Sequence, residues 1–570
     1  MKKITLLLVA VLAWVGTASA QDAQSLMTFN WAHAVEGAVN SGNNVMGMVK
    51  TNDDSYLVAS KFGSKTGSQT VKFDGEELAG VMGSPYSEGN SNNGNLLLQK
   101  VSNAGSVAWN VYTRKGDVST VNLAAADDGG IVVALKTRAW VKEAGYDNLL
   151  EVVDAVGAVT TIKDMGTTAS EYRFLILKLD ADGKLSWSRL VCGLVKTYDK
   201  GKTVDNAYLN ACALDGDGNI YLAGNFRSAL YFKKGDGTVA TLESESTPDE
   251  YFNVQNSLGD LFLVKLDKEG YYLNSLVTAA VSYASVDQMV VHDGKIFLDG
   301  RLQGKDATVK LGSTSVAAST DRQNLLVASV NATDLSVNYA KVLYPVVNSK
   351  NSFAIQNKGA QYVDGVVYFT GSLNGGLSTG INGSAFVETG ATQLKGYVAK
   401  MDAETGNFSA QLYKEGTISN FFGVYPLKET LYAYGYDMSK GAILVPFDQS
   451  SLSAGAPVVV AQGGTVAAAA APVVDGDNLI MMNRSNNQMS FYGTDVKSAA
   501  VSGFSAFYYS YKINATATGI NAAKASVATD GVNVYTADGI FIKTVSSVAD
   551  AKQGLSKGVY VIGTQKVVVE

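Results

Sequence analysis

The stretch Asp-Gly-Asp-Gly-Asn-Ile-Tyr-Leu-Ala-Gly-Asn-Phe (215–226) supports two readings that lead to different proteins. It opens with oxygens spaced like a calcium loop and continues with the alternation of a β-strand. Asp215, Asp217 and Asn219 fit positions one, three and five of an EF-hand loop. Position six must then be glycine for the sharp turn, and position twelve glutamate for two further ligand oxygens. Ile220 and Phe226 stand there instead. The carboxylates read as turn residues joining two strands.

Working outward, a strand A (207–214) precedes this turn and a strand B (219–226) follows it. After an insertion come strand C, Asp-Leu-Phe-Leu-Val-Lys-Leu-Asp (260–267), the turn Lys-Glu-Gly, and strand D (271–277). The order recurs. A–B turns stand at 53–54, 127–130, 292–294, 364–365, 428–429 and 475–477. B strands follow at 56–62, 131–137, 296–302, 367–373, 431–436 and 479–484, and C strands at 96–101, 174–179, 325–330, 397–401, 443–447 and 507–511. That makes seven A-B-C sets, spaced by about 70 residues.

Strand D follows C in the first six units only. After the seventh C strand comes Asn-Ala-Thr-Ala-Thr (514–518), while an orphan strand, Phe-Asn-Trp-Ala-His (29–33), precedes the first A strand. Its Trp31 matches Trp109 and Trp187 of the D strands in position. The N-terminal strand is therefore expected to complete unit seven and remove an open edge. The expected fold is all-β, a seven-bladed β-propeller over 21–514 closed by its N-terminal strand. A linker (515–530) and a small C-terminal β-module (531–570) complete the chain.

Residues 1–20 carry the marks of a secretory signal: Lys2 and Lys3, an apolar run over 4–15, and Ala18-Ser-Ala20 as a small-x-small cleavage site. The mature chain should begin near Gln21 and leave the cytoplasm. No cysteine at the cleavage point suggests a lipid anchor, and no later apolar run approaches the ~18–20 residues of a membrane helix. The charge of 46 − 52 = −6 argues against nucleic acid as a partner. Seven prolines against 58 glycines suit short strands and tight turns. The only cysteines, Cys192 and Cys212, leave a disulfide and a reduced pair both open. With His33 and His292 they are too few and too scattered for a zinc site.

Asp-x-x-Gly-Asn-Ile-Tyr-Leu-Ala-Gly, Leu-Val-Lys-Leu-Asp-x-x-Gly and a Trp-centred strand together resemble the bacterial β-propeller repeat of the SBBP type, over most of residues 28–513. The resemblance implies a fold and no activity. The tail has two hairpins, 532–543 and 555–570, the second carrying Gly-Val-Tyr-Val and a valine-rich end. It resembles the C-terminal sorting domain of type IX secretion cargo in Bacteroidota, although the chain ends in Glu570 and the module is short. The resemblance implies the secretion machinery as a partner and a secreted or cell-surface location.

No nucleophile elbow, phosphate loop or haem-attachment motif is present, and no cofactor or metal is expected. The spacing selects no pair among the 52 acids for glycan chemistry. One positional feature stands out. The aligned B strands place Lys61, Lys136, Asn225, Arg301, Ser372, Tyr436 and Arg484 at one equivalent position. Long B–C insertions (63–94, 138–172, 227–259 and 304–322), with Tyr86, Trp140 and Tyr251, leave the same end. Lys61, Lys136, Arg301, Arg484, Tyr436 and Trp140 are thus the candidate ligand residues, for a glycan, an anionic ligand or a protein partner. The alternative is that they are solvated strand ends under decorative loops. The leading expectation is a non-catalytic binding or adhesion module; the others are a polysaccharide lyase or hydrolase and a structural surface-layer component.

Overall fold

The computed structural model describes residues 27–569, apart from 37–43, 63–69, 83–93, 140–148, 166–172, 198–202, 245–258, 347–353, 389–393, 414–417, 498–504, 515–531, 537–540, 546–550 and gaps of up to three residues. Among the described residues every named element is a β-strand, and no helix is long and apolar enough to cross a membrane. The signal-like segment and the linker lie outside the described residues.

The strand order A-B-C-D is antiparallel throughout. In unit three Tyr208–Leu214, Ile220–Phe226, Asp260–Leu266 and Tyr272–Ala279 lie side by side in that order. Strand B is buried along its whole length there, and strand C nearly so. Such strands carry apolar side chains on both faces and need cover on both. Successive units supply it. Leu57 and Leu98 of unit one pack with Val133 and Leu175 of unit two, and Ala134 and Ile176 then pack with Leu222 and Phe262 of unit three. At the far end, Tyr434 and Leu444 of unit six meet Met481 and Phe507 of unit seven. A further cluster joins Met482 and Tyr508 of unit seven to Val58 and Leu97 of unit one.

The N-terminal strand, Met27–Glu36, pairs with Ser505–Ile513, strand C of unit seven, from Met27↔Ile513 to Val35↔Ala506. It occupies the place that D takes elsewhere. Trp31 donates its indole N–H to the Asn103 carbonyl (2.8 Å), in the C–D turn of unit one. Trp109 does the same to Ala181 of unit two (3.2 Å). Each ring also covers a turn glycine in a left-handed conformation. A Cβ on Gly105 would stand 2.9 Å from Trp31, one on Gly183 2.7 Å from Trp109, and one on Gly270 2.8 Å from Trp187.

The long B–C insertions differ from the expected loops. In unit two the insertion holds Leu150–Val153 and Val159–Ile162, a hairpin that pairs back onto strand D of unit one (Val153↔Tyr112). The corresponding hairpins of units three, four, five and seven likewise join the outer strand of the preceding sheet. That of unit one, Thr70–Phe73 with Glu76–Met82, joins the N-terminal strand (Val35↔Phe73). Only the short link of unit six, between Thr430–Asp437 and Gly441–Asp448, contributes none. An unpaired outer edge is an aggregation hazard, and the insertions cover part of it.

The glycine of Tyr-Leu-Ala-Gly has a local cause. Strand A of unit three carries a β-bulge between Leu209 and Ala211, opposite Gly224. A Cβ on Gly224 would collide with the Tyr208 carbonyl oxygen. Bulges recur opposite Ser60, Gly300, Gly371 and Gly435. The bulged Asn210 reaches across to the next strand A, donating to the Val286 carbonyl (2.8 Å) and Ser285 Oγ (3.1 Å).

At the C-terminus Val532–Thr536, Phe541–Val545, Gly558–Ile562 and Gln565–Val569 form one sheet. Val534, Ala551 and Ile562 make its small core.

Overpacking at the bulge predicts that Gly224→Ala lowers the unfolding free energy by about 1–3 kcal/mol. Gly216→Ala, at a turn position where a Cβ meets nothing within 4 Å, should stay within about 0.5 kcal/mol of wild type. Urea denaturation checks both; equal effects would remove the bulge as the reason for the glycine.

Candidate functional site

The opening turn is occupied by its own hydrogen bonds. Asp215 Oδ1 accepts from the backbone N–H groups of Asp217 (3.0 Å) and Asn219 (2.9 Å). Its Oδ2 accepts from Asn219 Nδ2 and the Tyr221 hydroxyl, both at 2.8 Å. Burial raises the Asp215 pKa, but the bonds from Asn219 and Tyr221 outweigh it and hold the pKa below the usual range. Among the described residues no group of three His, Cys, Asp or Glu side chains is placed to hold a metal. Cys192 and Cys212 are free thiols, and burial pushes Cys212 up to about 12. His33 bonds Asp74 at 2.5 Å, whereas His292 stacks on Tyr362 in another unit.

The B-strand position is equivalent from unit to unit in register. Lys61, Lys136, Arg301 and Arg484 face Leu96, Phe174, Leu325 and Ala506 on their C strands. The side chains of Lys61 and Lys136, however, turn into the seams between sheets, while Arg301 pairs within its own sheet. Lys61 Nζ lies 3.0 Å from Asp117 Oδ1 on strand A of unit two, and Arg138 meets the other carboxylate oxygen at 3.2 Å. Lys136, 5% exposed, holds its ammonium 4.1 Å from the ring centre of Tyr208 on strand A of unit three. Arg301 grips Asp287 with Nε (2.7 Å) and Nη2 (2.9 Å), and lies over the Tyr283 ring. Tyr436 is half-buried against the cluster between units six and seven. Arg484 is half-buried too, and its burial lowers the guanidinium pKa. Trp140, Tyr86 and Tyr251 lie outside the described residues.

Asp117, Tyr208, Asp287 and Asp299 escaped the sequence reading, because three of them sit on A strands whose partners belong to another strand or unit. Asp299 carried a signal: an acid inside the apolar Ile-Phe-Leu-Asp-Gly run, where unit three has Ile-Tyr-Leu-Ala-Gly. It is 1% exposed, and its carboxylate makes no hydrogen bond of normal geometry. Burial and the Asp287 charge together raise its pKa well above the carboxylate range, against smaller help from the Gln288 N–H and Arg301. Burial lowers and the Asp287 charge raises the pKa of Arg301, and the pairing wins.

No protein-family model and no curated protein matches the chain. Among solved structures it is similar to a protein of unknown function from Dyadobacter fermentans (12% identity, 70% of this chain and 96% of that one, TM-score 0.36). It is also similar to quinohemoprotein alcohol dehydrogenase from Comamonas testosteroni (11%, 86% and 77%, TM-score 0.41). A third likeness is to Synechocystis apocarotenoid oxygenase (12%, 74% and 92%, TM-score 0.32). Likenesses of this size assign no activity to the chain.

The raised pKa of Asp299 fixes a pH dependence. The folded state keeps a proton that the unfolded chain gives up near pH 3.9, so this group's contribution is greatest below that pH. Its contribution falls as pH rises toward the folded-state value. Asp299→Asn removes the slope, so its Tm relative to wild type should be higher at pH 8 than at pH 4. Thermal unfolding at the two pH values checks this, and an equal difference at both would contradict it.

Proposed function

We propose that the chain is an exported, seven-bladed β-propeller, closed by its own N-terminal strand, that acts as a non-catalytic binding or adhesion module at the cell surface. Support for the closure comes from the cluster joining Met482 and Tyr508 to Val58 and Leu97, and from Trp31 capping Gly105 as Trp109 caps Gly183. The SBBP-type repeat and the signal-like segment fit the same reading. The C-terminal sheet would serve as the sorting element read by a type IX secretion machinery.

One observation speaks against catalysis at the B-strand ends. The charged groups that the repeat gathers at the B-strand ends are spent on one another: Lys61 and Arg138 on Asp117, and Arg301 on Asp287. A polysaccharide-cleaving alternative has one feature in its favour. Asp287 and Asp299 are neighbouring carboxyls in contrasting environments, as an acid–base pair requires. They are 6% and 1% exposed, which keeps them from a polymer chain. A glycan or anionic ligand at the B-strand end of the propeller is the favoured partner.

A glycan and peptide array probed with the chain from Gln21 onward, followed by product analysis of every hit, tests the reading. Binding without turnover is expected; release of shortened or unsaturated oligosaccharides would replace the module with an enzyme. Mass spectrometry of the exported protein should find its N-terminus near Gln21.

A further inference from the structure

Trp31, Trp109 and Trp187 hold one position in their strands, and each covers the turn glycine of the following unit, but not in the same way. Trp31 and Trp109 lay the inner part of the indole there. Cγ and Cδ2 of Trp31 lie nearest a Cβ on Gly105, and Cδ2 and Cε2 of Trp109 nearest one on Gly183. Each N–H then meets a turn carbonyl, Asn103 at 2.8 Å and Ala181 at 3.2 Å. Trp187 instead puts its far edge, Cη2 and Cζ3, at Gly270. Among the described residues its N–H has no hydrogen-bond partner, and it is not buried.

The residue two places further on accounts for the difference. Val111 follows Trp109 and is 1% exposed, while His33 follows Trp31 and has the Asp74 carboxylate as its partner. After Trp187 comes Arg189, whose Cγ lies 2.9 Å from a Cβ on Gly270, in the room the other indoles use. Its guanidinium lies between two rings, with Cζ 5.2 Å from the centre of Trp187 and 4.4 Å from that of Tyr271. Such stacking fixes the plane of the cation without spending its N–H groups. One N–H of Nη1 goes to the Ser188 carbonyl (3.0 Å), and Nε is buried without a partner. Nη2 and the second N–H of Nη1 remain, and among the described residues no carboxylate pairs with them. The acids of the adjoining turn do not serve. Asp267 accepts from the backbone N–H groups of Glu269 (3.0 Å) and Tyr271 (2.8 Å), and Glu269 is exposed and forms no ion pair with Arg189. The indole N–H and the Tyr271 hydroxyl, which also lacks a partner, thus stand beside a guanidinium with an open edge.

We propose that Trp187, Arg189 and Tyr271 form a carboxylate-binding site for an acidic glycan, the uronate oxygens taken by the Arg189 fork and the indole N–H. Rings flanking the fork favour a uronate over an acidic peptide, because the sugar sets a C–H surface beside its carboxylate. The site lies at the turn end of units two and three, away from the B-strand ends, and rests on the binding-module reading.

Isothermal titration of the full exported chain with tetragalacturonate tests it, with polyglutamate and neutral dextran as comparison polymers and urea midpoints as the fold control. Arg189→Gln should weaken the affinity about tenfold or more, and Trp187→Phe about fivefold. Trp109→Phe, which removes an N–H used by the fold, should leave the affinity unchanged and lower the urea midpoint more than Trp187→Phe does. Neutral dextran should not bind. Equal affinity of wild type and Arg189→Gln overturns the site, as do equal losses of affinity in Trp187→Phe and Trp109→Phe. Polyglutamate bound more tightly than tetragalacturonate overturns the uronate, and so does wild type that fails to bind tetragalacturonate. If the array finds ligands whose binding survives Arg189→Gln, the site falls and the module stands. If the array finds no ligand, the module falls with it.

Discussion

The B and C strands are apolar on both faces, and everything else in the structure follows from covering them. A sheet with one bare face is not an option for residues such as Val58, Leu97, Met482 and Tyr508. The cluster between units seven and one contains eleven buried side chains. At about 2 kcal/mol each, leaving them in water would cost on the order of 20 kcal/mol, more than the ~5–15 kcal/mol by which a domain is stable. A linear stack would bare such a face at both ends. The proposed ring removes both.

Each residue of the repeat has a place in that arrangement. The Asp-Gly turn closes A onto B, with the Asp215 carboxylate bonding the chain around it. The glycine near the end of B makes room for the bulge in A. The lysine of strand C ties adjacent units together: Lys100 reaches the Ala181 carbonyl of the next unit at 2.9 Å, and Lys265 reaches Ala332 at 2.8 Å. The aromatic residue of D closes on the next turn glycine. Asp475 of unit seven meets Lys50 and Tyr56 of unit one, so the junction of last and first units carries polar as well as apolar contacts.

The repeat was legible because its signals are local: alternation, Asp-Gly turns and a tryptophan at a fixed offset. Trp31 alone pointed to the partner of the N-terminal strand, and it pairs where expected. What stayed hidden depends on distant partners. Nothing within residues 138–172 says that Leu150–Val153 will pair with Val107–Arg114, since that choice belongs to the geometry of neighbouring sheets. The same holds for the shared position near the end of strand B. Its register was readable from B strands alone, but the fate of Lys61 depends on Asp117 and that of Lys136 on Tyr208, each on the next unit. Alignment found a shared position; it could not distinguish a solvent-facing charge from one used to join sheets. Asp299 is the instructive exception, because an acid in an apolar B strand marks an unusual site without any structure.

Closure by the N-terminal strand is the central claim, and a cross-link tests it most directly. Thr28 and Lys512 are Cα partners across the pairing of the two chain ends, and both are exposed. In the double variant Thr28→Cys and Lys512→Cys, oxidation of the folded monomer should join the two positions within one molecule, as antiparallel partners lie within disulfide reach. Peptide mapping would show residues 28 and 512 linked at monomer mass, with Cys192 and Cys212 still free. Thiols that stay reduced at both positions in the folded monomer, or a link that forms only between two molecules, would contradict the closure.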